Sequence, residues 1–153
     1  ILTLAQTGKS DPQPIVCLQA PGCDYWDDWY TFITRQLLAR RLINHEDLSL
    51  FKITTSVDDA IDEIRGFYRR FHSIRYVGRL LVMRLKTSIS PEQVAGLHDT
   101  FGDLLSEGTF ELRGALPEEL DEPSLRELPR LIFTSNRRSA SRLRQLIDHL
   151  NAL

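Results

Sequence analysis

Short apolar runs alternate along the chain with stretches in which apolar residues recur every three or four positions, the rhythm of strands joined by helices. Ile15-Val16-Cys17-Leu18 is unalternated and bounded by Pro14 and Pro21-Gly22, which predicts a strand buried on both faces, as in a parallel sheet. Over residues 24–41, Trp26, Trp29, Tyr30, Ile33, Leu37 and Leu38 keep helical spacing, while Asp24, Asp27 and Asp28 put negative charge at the positive end of the helix dipole. Residues 50–54 predict a second short strand. Ser56, with Asp59 three positions on, predicts the start of a helix whose stripe is Val57, Ala60, Ile61, Ile64, Phe67, Tyr68 and Phe71. Ahead of all these, residues 1–6 read as the last turns of a helix that begins upstream, stopped at Gly8 and barred from continuing by Pro12 and Pro14. Helix, strand, helix, strand, helix in that order implies crossover connections and a parallel sheet.

After Gly78 the pattern changes. Residues 79–86 partly alternate apolar and basic side chains, which predicts a half-exposed strand. Ser90 and Pro91 are a cap and a first-turn proline, predicting a helix that carries Val94, Leu97, Phe101, Leu104 and Leu105 and runs up to Gly108. Residues 109–113 and 130–134 read as strands joined by the acidic, proline-bearing stretch 117–129, and a last helix carries Leu143, Leu146, Ile147 and Leu150. The expected fold is α/β: crossover units of a parallel sheet over residues 1–77, then a small α+β unit of order β-α-β-β-α over residues 78–153.

Composition narrows the classes. At 42% apolar and 26% charged residues the chain belongs with ordinary folded domains, and a net charge of −2 removes support for non-specific nucleic-acid binding. Apolar runs such as Leu80-Leu81-Val82-Met83 are too short to span a bilayer, and no basic-then-apolar segment opens the chain, so no membrane partner and a cytoplasmic location are expected. Cys17 and Cys23 form neither a metal-binding nor a paired-cysteine redox spacing and read as reduced thiols.

Leu4-Ala5-Gln6-Thr7-Gly8-Lys9-Ser10-Asp11-Pro12 resembles the stretch that follows the PGGxGTxxE motif in the LOG (Lonely Guy) family of lysine-decarboxylase-like proteins. Pro14-Ile15-Val16-Cys17-Leu18, the helix start Tyr25-Trp26-Asp27-Asp28-Trp29 and the run into Leu42-Ile43 are similar to that family's layout. Phe67-Tyr68-Arg69-Arg70-Phe71-His72-Ser73-Ile74-Arg75-Tyr76-Val77-Gly78 resembles a stretch of a longer bacterial branch with an added C-terminal segment. The resemblance implies a Rossmann-like nucleotide-binding domain, of which residues 1–77 are the C-terminal portion and residues 78–153 an extension. It also implies a homodimer or higher homo-oligomer that hydrolyses the N-glycosidic bond of a nucleoside 5′-monophosphate to free base and ribose 5-phosphate, without a cofactor. The family's glycine-rich loop and motif glutamate do not occur among the 153 residues, and Gly22, alone in Pro21-Gly22-Cys23, is no phosphate fingerprint. No catalytic residue and no metal ligand is therefore assigned, and this piece is expected to be inactive alone.

Several side chains remain as binding candidates. Thr3 and Gln6 lie on the helix that would leave the family's loop and could face a nucleotide or a dimer partner; the competing reading is a pair of polar residues at a solvated helix end. Arg69, Arg70, His72 and Arg75 could hold a phosphate, because guanidinium presents a planar fork of donors. Against that, Asp58, Asp59, Asp62 and Glu63 precede them and suit a solvated face. Arg137, Arg138, Arg142 and Arg144 crowd the start of the last helix, where positive charge opposes the dipole, so the acidic residues Glu118, Glu119, Asp121, Glu122 and Glu127 are their expected partners. Trp26, Trp29 and Tyr30 could stack a base but have the spacing of a core stripe. Three functional classes follow: part of a phosphoribohydrolase, a nucleotide-binding or assembly module without catalysis, or a remnant whose open sheet edge is covered by self-association.

Overall fold

The apolar runs near residues 15 and 53 form strands β1 (Val16–Leu18) and β2 (Lys52–Thr54), paired in parallel with Cys17 opposite Ile53. The computed structural model describes residues 1–153. Helix α1 (Leu2–Gln6) precedes β1 and is closed by Gly8 at φ +64°, a left-handed conformation that costs glycine nothing. Between the strands run α2 (Tyr25–Phe32), continued in π-helical turns over Ile33–Leu38, and a 3-10 turn at His45–Leu50. After β2 the Ser56 hydroxyl accepts the Asp59 amide at 3.2 Å and starts α3 (Val57–Phe67).

Two expectations fail at the end of α3. Tyr68 and Phe71 are not helical, and Phe71 opens a strand, β3 (Phe71–Val77), that the helical spacing concealed. Asn151 ends the helix: its Nδ2 donates to the Phe67 carbonyl at 2.6 Å, and its Oδ1 accepts the Arg70 and Phe71 amides at 2.7 and 2.9 Å. A side chain thus satisfies the backbone groups that a further turn would have paired. β3 turns at Gly78 (φ +59°) into the antiparallel strand β4 (Leu80–Leu85), so the division expected between residues 77 and 78 falls inside a hairpin.

The remaining elements are α4 (Pro91–Phe101), β5 (Leu105–Arg113), β6 (Arg130–Ser135) and α5 (Ala140–Ala152). α4 begins as predicted, with reciprocal bonds between Ser90 and Gln93 at 2.8 and 3.2 Å. It stops at Phe101 rather than near Gly108, because Gly102–Leu104 tighten into a 3-10 turn and Leu105 already pairs with Ser135. The second sheet has the order β3-β4-β6-β5, all antiparallel, and the unit reads β-β-α-β-β-α.

Strand β4, expected to be half exposed, is buried, since β3 and β6 flank it and both its faces are covered. Leu81, Met83 and Leu85 meet Leu131 and Phe133 on the face that packs on Leu97 and Phe101 of α4 and on Leu143, Leu146, Ile147 and Leu150 of α5. Side chains of this size contribute about 1.5–3 kcal/mol each when removed from water. On the other face Arg84 and Arg130 are buried beneath the 117–129 stretch, where Glu119 accepts from Arg84 at 2.8 Å and from Arg130 at 3.3 Å. Glu122 binds Arg84 at 3.1 Å and Arg75 at 2.7 Å.

The acidic stretch is therefore not the partner of the arginines at the start of α5. Arg142 binds Asp103 at 2.7 Å, and Arg144 binds Glu63 at 2.6 Å and Asp148 at 2.8 Å. Burial raises the Asp148 carboxyl above its ordinary value, although Arg144 opposes the shift. The Arg144–Glu63 bridge ties α5 to α3, and Ser141 donates to Asp47 at 2.8 Å, so α5 links the parallel pair to the antiparallel sheet. No helix is long and apolar enough to cross a membrane.

Candidate functional site

In open α/β sheets ligands bind outside the carboxyl ends of parallel strands, where loops and helix N-termini converge. Here that edge comprises the loops after Leu18 and Thr54 and the starts of α2 and α3. Gln19 organises it. Its amide N–H bonds the Thr54 carbonyl at 3.0 Å, its Oε1 accepts the Trp26 amide at 2.8 Å, and its Nε2 donates to Asp27 at 2.7 Å. The Trp26 indole N–H closes the loop on the Leu18 carbonyl at 3.1 Å. On the neighbouring strand Thr54 accepts the Ser56 amide at 3.0 Å and donates to Asp59 at 3.3 Å.

The edge is polar, and its charged groups are carboxylates: Asp24, Asp27 and Asp28 at the start of α2, Asp58 and Asp59 in the first turn of α3. It supplies no cation for a phosphate. Exposed Tyr25, braced edge-on by Trp26 at 5.0 Å between centroids, gives it one aromatic face. Trp29 packs edge-on against Phe51 at 5.0 Å, so of the aromatic stripe Trp29 serves packing.

The sequence candidates lie elsewhere and do not converge. Thr3 is exposed, and its carbonyl accepts the Thr7 hydroxyl at 2.7 Å. Gln6 sits at the opposite, amino-terminal edge of the strands and donates to Asp47 at 2.6 Å. Arg69 reaches the Asn151 carbonyl at 3.3 Å and Arg70 the Ser88 carbonyl at 2.6 Å. Arg75 is held between Asp121 and Glu122 at 2.6 and 2.7 Å, and those bonds raise its pKa. His72 shares a 2.8 Å bond between Nδ1 and the Ser73 hydroxyl; burial, with Lys86 and Arg84 nearby, pushes its imidazole below the ordinary value. A histidine shifted that way is neutral at pH 7 and brings no charge to a phosphate.

Two organising residues escaped the sequence reading. Gln19 carries no local signal, since its partners are fixed only when β1 and α2 fold together. Asp47 does carry one: Asn44 stands three residues before it, and the Asn44 amide donates to the Asp47 carboxylate at 2.9 Å in a capping box. No three His, Cys, Asp or Glu side chains come together in a way that could hold a metal ion. No family model, no curated protein and no solved structure matches the chain.

Proposed function

We propose that the chain is the C-terminal part of a LOG-like nucleoside 5′-monophosphate phosphoribohydrolase, with the phosphate loop and catalytic glutamate belonging to the family's PGGxGTxxE motif outside these residues. The observation that carries this reading is the parallel pair β1–β2 with its flanks uncovered. Parallel strands occur in sheets buried on both faces and joined by helical crossovers, and two strands alone are marginal in water. Yet Leu18 at the end of β1 is 44% exposed, and Val57 and Ile64 of α3 are 60% and 45% exposed. In the first 67 residues the buried apolar side chains are just Cys17, Leu50, Ala60 and Phe67. Further strands and helices of one Rossmann-like sheet would cover this surface, and the quoted resemblance supplies the family in which α1 leaves the phosphate loop.

In this reading the carboxylate-rich edge does not hold the phosphate. Gln19 and Trp26 fix the loop that would form one wall of the nucleotide site, and Tyr25 offers its ring to the base. The test is incubation of the full-length gene product with AMP, GMP, CMP and UMP, followed by assay of free base and ribose 5-phosphate. Stoichiometric release of both is expected, with none from the 153-residue chain alone. A full-length product that carries the motif and releases no base would remove the reading.

A further inference from the structure

We draw no further inference here: the strongest candidate, the exposed apolar stripe of Val57, Ile61 and Ile64 along α3, belongs to the uncovered flank already described, and nothing in the structure shows that a second copy or another partner covers it.

Discussion

Replacing Glu119 with alanine is expected to lower the unfolding free energy by about 3–5 kcal/mol, the magnitude found when one partner of a buried ionic cluster is removed. Arg130 is 0% exposed and Arg84 2%, and both guanidinium groups rest on this one carboxylate beneath the 117–129 stretch. Arg84 keeps Glu122 and Arg130 keeps the Arg126 carbonyl, but neither replacement restores charge balance inside the cluster. Glu119→Gln should be milder, because the amide keeps the shape and one acceptor. Urea unfolding followed by circular dichroism measures both, and a loss below about 1 kcal/mol for Glu119→Ala would show that the cluster is not anchored as described.

The same cluster sets the acid response. Burial opposes ionisation of Glu119, but the Leu116 amide, Arg130 and Arg84 together hold its carboxyl below the ordinary value. Bonds from Arg84 and Arg75 take Glu122 from 4.5 to about 2. A carboxyl depressed in the folded state stabilises fully above its unfolded value and loses that contribution as pH falls through the folded one. Stability should therefore hold above roughly pH 5 and decline as the pH approaches 2. Asp148, shifted the other way, works against this decline, because protonation relieves its desolvation.

Asn151→Ala is expected to destabilise by about 3 kcal/mol, since it strands one buried carbonyl and two amides at the junction of α3 and β3. Asn151→Asp retains the acceptor for Arg70 and Phe71 but cannot donate to Phe67, so its loss should be smaller. Hydrogen exchange at the Arg70 and Phe71 amides should quicken in the alanine variant relative to the rest of β3. Unchanged protection there would mean that the helix end is held by packing alone.

What the sequence revealed and what it hid divide on physical lines. Local codes were readable: Ser90 with Pro91 starts α4 where predicted, Gly8 closes α1, and the unalternated run at residue 16 pairs in parallel as its pattern implied. The spacing from Phe67 to Phe71 misled, because four residues fit one helical turn and equally a turn into a strand; Asn151, eighty residues away in sequence, decides between them. Arg84 made β4 look half exposed because only the folded chain brings Glu119 over it. The basic run at residues 69–75 reads as one patch on a helix, but Arg69 and Arg70 lie in the turn that leaves α3 while His72 and Arg75 lie on β3, so its arginines scatter. Gln6 was visible as a candidate, while Asp47, its partner 41 residues on, was missed although its spacing from Asn44 is that of a capping box.

The claim on which the rest depends is that β1 and β2 form one parallel pair. Cross-strand nuclear Overhauser contacts in the isotopically labelled chain measure it directly. The account predicts contacts between Val16 and Lys52, Cys17 and Ile53, and Leu18 and Thr54. Contacts joining Val16 to Thr54 and Leu18 to Lys52, the antiparallel pattern, or none between the two segments, would contradict it.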